Sequence, residues 1–108
     1  DFRKSEKWKN LRHKRFVDYI SRDDIFDFLE GRESEIEAFI HLGACSDTTE
    51  TDGDYITHTN YRFSVALAEY ALEHEHRFIY ASSAATYGDG TLGFVDDESQ
   101  LDALSPLN

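Results

Sequence analysis

The sequence predicts an α/β fold, and three observations carry that prediction. Short runs with apolar centres at Arg15–Ile20, Ile36–Leu42 and Phe78–Ala81 have the length and composition of strands. Helical signals lie between them, so the order is strand, helix, strand, helix, strand, and crossovers of this kind imply parallel pairing. The last run breaks directly into Ser82-Ser83, small residues and a Tyr87-Gly88 turn. Either the two serines only punctuate the end of a strand, or they deliver hydroxyls to the carboxyl edge of the sheet, where open α/β folds bind ligands.

Taken in order, residues 1–15 are polar and irregular, with Trp8 and Leu11 as the strong apolar anchors. A loop with a single helical turn is expected. Arg15-Phe16-Val17-Asp18-Tyr19-Ile20 alternates as a strand does and runs into Ser21-Arg22-Asp23-Asp24. There Ser21 is placed to cap a helix, with Asp24 three residues on, close to a capping box. Asp23 and Asp24 suit the positive end of the helix dipole. Ile25, Phe28 and Leu29 continue that helix to Gly31, a left-handed stop.

Ala38-Phe39-Ile40 is the apolar centre of the second strand. From about Asp54 to Glu75, the residues Ile56, Asn60, Phe63, Leu67, Tyr70 and His74 fall at steps of four and three, one face of an amphipathic helix. Asn60 is the polar exception, either a satisfied structural amide or, being in the first half of the helix, a group near the ligand end of the sheet. Asp89–Ser105 is a mostly acidic loop with glycines. In the doubly wound strand order 3-2-1-4-5, the predicted strands are 3, 4 and 5, with strands 2 and 1 absent between the first two. Such a slice is expected to show unpaired edges and a gap in its core.

Composition narrows the class. A 40% apolar content suits a globular domain, and no apolar run approaches the ~18 residues of a membrane span. We therefore expect a cytoplasmic protein without a membrane partner. Cys45 is the single cysteine, so no internal disulfide is available and no zinc-ligand spacing exists. The chain contains no methionine, and we expect an interior slice of a larger protein. Its net charge of −11 is uneven, since residues 1–15 carry seven cations against Asp1 and Glu6. The basic arm fits a phosphate-bearing small molecule or a solvated loop. Nucleic acid is disfavoured because no reader module is visible.

Other chemistries are weaker. A lone cysteine four residues after His41 more often packs than attacks. His74-Glu75-His76 does not put two imidazoles on one helical face. Ser82 and Ser83 lack the Gly-x-Ser-x-Gly elbow of hydrolases.

The run Ala81-Ser82-Ser83-Ala84-Ala85-Thr86-Tyr87-Gly88, with Ser105-Pro106-Leu107-Asn108 after the acidic loop, resembles the active-site strand of the extended short-chain dehydrogenase/reductase family. His41-Leu42-Gly43-Ala44-Cys45-Ser46-Asp47-Thr48-Thr49-Glu50 is similar to its ADP-L-glycero-D-manno-heptose 6-epimerase branch. The resemblance covers essentially the whole chain. It implies a Rossmann-like, doubly wound parallel sheet and a partial NADP-binding domain over residues 1–108, without the N-terminal Gly-rich strand-turn-helix or the C-terminal substrate-binding part.

The implied parent is an NADP-dependent epimerase of a nucleotide sugar in lipopolysaccharide core biosynthesis, a homo-oligomer, with NAD the less favoured cofactor. The other readings are a related epimerase or dehydratase, or a non-catalytic dinucleotide-binding module. By the same resemblance Ser83, with Ala84 beside it, meets the substrate, and Ser83 hydrogen-bonds the reacting oxygen. Leu42, Gly43, Ala44, Cys45 and Ser46 back the dinucleotide. Asp1 lies next to the adenosine ribose, Lys7 and Arg22 near its phosphate, and Asp18 and Tyr19 at the adenine. Thr59 stands beside Asn60 where the branch often has paired asparagines, which leaves open the one that meets the cofactor. The family's Tyr-x-x-x-Lys pair is expected to follow Asn108.

Overall fold

The computed structural model describes residues 6–104. The chain divides into two compact units, Asp1–Glu35 and Ile36–Asn108, each built on its own local signals.

In the first unit, the polar arm contains one 3-10 turn at Glu6–Leu11, as expected. Arg15–Ile20, by contrast, is not a strand. A strand exists only where a second backbone takes up its N–H and C=O groups. No described segment pairs with this one, and Val17 is fully exposed. The alternation is present, but the strands that would flank it in a doubly wound sheet are not among the described residues.

Ser21 has the extended backbone of an N-cap (φ −63°, ψ 145°), yet its side chain caps nothing. The Asp24 N–H that its hydroxyl would accept is donated instead to the Ser21 carbonyl, at 3.1 Å. That i→i+3 bond makes the first turn, Arg22–Asp24, 3-10 in form. α1 (Ile25–Leu29) follows, and Gly31 ends it at φ +74°, as its sequence position predicted.

The second unit holds a two-stranded parallel sheet. β1 (Ala38–His41) pairs with β2 (Arg77–Tyr80) in the register Ala38↔Arg77 to His41↔Tyr80. The predicted second and third strands and their parallel pairing are therefore observed. The connection between them is a helix spanning 53–73. It consists of α2 (Gly53–Ile56), a π-helical turn at Thr57–Arg62 and α3 (Phe63–Glu73). Asp52 starts it, its side chain accepting the Tyr55 N–H at 2.9 Å.

None of the predicted stripe from Ile56 to His74 is exposed, and Leu67 and Ala71 are buried. The stripe packs on the face of the sheet that carries Phe39 and His41: the Phe39 ring meets Tyr70 edge-on at 6.0 Å, and His41 meets Phe63 at 5.6 Å. Period-2 alternation puts Ile40 and Ile79 on the opposite face, where they are 66% and 54% exposed.

The helix ends in a Schellman motif. The His76 N–H bonds the Ala71 carbonyl at 2.8 Å and the Glu75 N–H the Leu72 carbonyl at 3.3 Å. The left-handed position of that motif, φ +59°, is held by Glu75 where glycine is usual. The acidic stretch beyond β2 is mostly irregular, with a 3-10 turn at Glu98–Ala103 capped by Asp97.

Candidate functional site

The parallel register brings two predicted site segments to one edge. The Ala81 N–H bonds the His41 carbonyl at 3.1 Å. Beyond that bond, residues 42–46 and 82–84 leave the sheet from adjacent strand ends. Leu42, Gly43, Ala44, Ser46, Ser82, Ser83 and Ala84 are all exposed, and Cys45 is half-buried. A Cβ built on Gly43 would meet nothing within 4 Å. Packing within the described protein does not require a glycine there, and the backbone beside it is open to an approaching group.

Ser83 follows β2 with extended backbone (φ −98°, ψ 136°) and caps the 3-10 turn Ala84–Tyr87. Its Oγ accepts the Ala85 N–H at 3.2 Å. A hydroxyl oriented by accepting a bond keeps its proton for a second partner. Ser83 can therefore donate to an oxygen placed over the strand end.

Asn60 bonds the loop after β1 through both ends of its amide. Its Oδ1 accepts the Cys45 N–H at 2.7 Å, and its Nδ2 donates to the Cys45 carbonyl at 2.9 Å. The structural-amide role weighed from sequence is thus observed. Thr59, beside it, is buried with no hydrogen-bond partner for its hydroxyl among the described residues. Further along the same loop, Asp47 Oδ1 accepts both the N–H and the hydroxyl of Thr49, at 2.9 and 2.7 Å. These bonds, the hydroxyl's first, hold the Asp47 carboxyl below the usual aspartate range.

The remaining predicted positions belong to the first unit. Lys7 is exposed on the turn Glu6–Leu11. Asp18 Oδ1 accepts the Tyr19 N–H at 2.7 Å, and Arg22 pairs with Asp23 at 3.3 Å. Asp1 lies outside the described residues.

The sequence reading missed His41 and Ser64 as partners in this site. His41 is buried, and its Nε2 lies 2.8 Å from Ser64 Oγ, which in turn bonds the Asn60 carbonyl at 2.8 Å. The available signal was spacing, since Ser64 follows Asn60 by four residues on one helix face. The imidazole thus addresses Ser64, which leaves the thiol reading of His41 and Cys45 without support.

No solved structure matches the chain. Among curated relatives, the chain is 50% identical over 106 residues to ADP-L-glycero-D-manno-heptose-6-epimerase of Nitratidesulfovibrio vulgaris, covering 96% of this chain and 33% of that protein. It is 46% identical over 110 residues to the protein of the same name in Fusobacterium nucleatum, covering 98% of this chain and 33% of the relative. Identity to the Brachyspira hyodysenteriae protein of that name is 41% over 101 residues, covering 91% of this chain and 32% of the relative. The chain thus spans about a third of the length of the curated relatives it matches. A family model described as the NAD dependent epimerase/dehydratase family matches residues 2–108, and the chain belongs to that family.

Proposed function

We propose that the full-length protein containing this chain converts ADP-D-glycero-D-manno-heptose to ADP-L-glycero-D-manno-heptose with NADP as cofactor. The observation that carries this reading is the 41–50% identity, over nearly the whole chain, to relatives bearing that epimerase name. Bound NADP would supply a reversible hydride acceptor, so that one sugar carbon is oxidised and then reduced from its other face.

The residues of this chain then divide the work. Leu42, Gly43, Ala44, Cys45 and Ser46 lie along the dinucleotide, and the open backbone at Gly43 fits a close approach. Ser83 donates its hydroxyl proton to the sugar oxygen as that oxygen alternates between hydroxyl and carbonyl, with Ala84 beside the substrate. Its acceptor bond from Ala85 fixes the hydroxyl in advance of binding. Lys7 and Arg22 favour the extra phosphate of NADP over NAD, with Asp1, Asp18 and Tyr19 around the adenosine. A Tyr-x-x-x-Lys pair elsewhere in the full-length protein moves the hydroxyl proton, the lysine lowering a phenol pKa that is otherwise near 10.

The test is turnover of ADP-D-glycero-D-manno-heptose by the full-length protein, followed by separation of the two epimers. Interconversion that is lost on changing that tyrosine supports the reading. A protein that binds dinucleotide but leaves the sugar unchanged is a binding module instead.

A further inference from the structure

The loop after β1 is held by a relay of hydrogen bonds that runs from β1 through the helix that follows. Cys45 has its N–H and its carbonyl both bound by the Asn60 amide, at 2.7 and 2.9 Å. Asn60 sits inside the π-helical turn Thr57–Arg62, where the Phe63 N–H reaches back five residues to His58. A π turn is rare and occurs mostly as a single turn inside an α-helix, and a side-chain bond to its backbone gives it support from outside its own ladder. Ser64 supplies it, with Oγ donating to the Asn60 carbonyl at 2.8 Å.

That hydroxyl has a single proton, already committed, so the 2.8 Å contact with His41 is one in which His41 Nε2–H donates and Ser64 Oγ accepts. The His41 ring is buried and cannot readily swing away, being stacked on Tyr80 at 5.6 Å and set edge-on to Phe63 at 5.6 Å. The strand, the helix and the loop are therefore joined in series, from the β1 imidazole through Ser64 and Asn60 to the backbone of Cys45.

We propose that Ser64, oriented by His41, is a positioning residue for the 42–46 loop, and that it acts on dinucleotide affinity through the grip of Asn60 on Cys45. The inference rests on reading that loop as the dinucleotide-binding segment. Neither Ser64 nor His41 touches the cofactor in this scheme. Their effect is to hold one loop conformation before binding, so that the ligand need not order it.

The test uses the full-length protein as wild type, Ser64→Ala and Ser64→Thr. Alanine is the best helix former, so Ser64→Ala keeps the helix while deleting the relay, and threonine restores a hydroxyl. Two quantities are read: the hydrogen-exchange rate of the Cys45 amide without ligand, and the Kd for NADP and NAD by calorimetry. Loss of one supporting hydrogen bond is expected to speed Cys45 exchange by about five- to tenfold and to weaken dinucleotide binding by a similar factor. Ser64→Thr is expected to return both toward wild type, with kcat at saturating cofactor unchanged throughout. Unchanged Cys45 exchange in Ser64→Ala overturns the relay, and faster exchange with unchanged Kd overturns its link to the cofactor. If Ser64→Ala frees Cys45 but the wild type binds neither dinucleotide, the relay stands and the dinucleotide reading of the loop is what fails.

Discussion

Asn60 and Cys45 form a closed two-bond ring, with the side-chain amide of one residue matched to the backbone N–H and C=O of the other. Only a group with a donor and an acceptor side by side can make both bonds, and at neutral pH asparagine and glutamine are the side chains that carry an uncharged one. Asn60→Asp keeps the acceptor for the Cys45 N–H but turns a second oxygen toward the Cys45 carbonyl. The expected loss is about 1–3 kcal/mol at neutral pH, measured by urea unfolding of the full-length protein. The gap should narrow at mildly acid pH, because the protonated acid regains a hydrogen to donate.

Ser83→Ala removes the free hydroxyl proton at the carboxyl end of β2 and the cap that accepts from the Ala85 N–H. The two losses appear in different measurements. Under the proposed function kcat is expected to fall by about a hundredfold, the effect of losing one preorganised donor. Stability should fall by only about 1 kcal/mol. Full turnover in this variant would remove Ser83 from the reaction.

Asp47 titrates below the usual aspartate range because Thr49 donates to its ionised form. For a depressed carboxyl, the stabilisation is complete above the unfolded value near pH ~4 and is lost as pH falls through the lower folded value. The Asp47 carboxyl resonance should therefore move at lower pH than that of an exposed aspartate without such donors. Thr49→Val, which deletes the larger of the two causes, is expected to shift that midpoint upward.

Glu75 occupies the left-handed position of the Schellman motif at φ +59°. A residue with a Cβ is strained there. Glu75→Gly is expected to raise stability by up to about 1 kcal/mol, read as a higher urea midpoint with an unchanged slope.

Gly90 presents the opposite case. Its φ is +80°, and an added Cβ would lie 2.9 Å from Cζ of Phe94. That ring packs edge-on against Tyr87 at 5.5 Å, so it must shift to admit the methyl group. Gly90→Ala is expected to destabilise by about 1–2 kcal/mol and to raise proteolytic cleavage between residues 88 and 95.

The parts of this fold that the sequence made legible are those set by local pattern. The four-and-three stripe from Ile56 to His74, the stop at Gly31 and the two strands beside the crossover all follow from spacing and turn chemistry. The strand expected at Arg15–Ile20 failed because alternation says which side chains would share a face, and only a neighbouring backbone makes a ladder. Ser21 failed as a cap because the choice between a 3-10 and an α first turn is a contest over one N–H, Asp24's, and residue identity alone does not decide it. The π turn left no pattern at all. Without it, Asn60 reads as an odd member of an apolar stripe, and Ser64 as a polar residue of no account.

The parallel pairing of β1 with β2 has a consequence for the chain as it is made. About forty residues separate Ala38 from its partner Arg77, and at 5–20 residues per second a ribosome takes roughly 2–8 s to supply them. Through that interval the edge of β1 that β2 takes up in the described sheet stays unpaired. The helix of 53–73 can form earlier from local bonds alone, and it then covers the Phe39 face of β1 before β2 pairs. Pausing of translation between Glu73 and Tyr80 would therefore leave the helix complete while the β2-facing edge of β1 is still open.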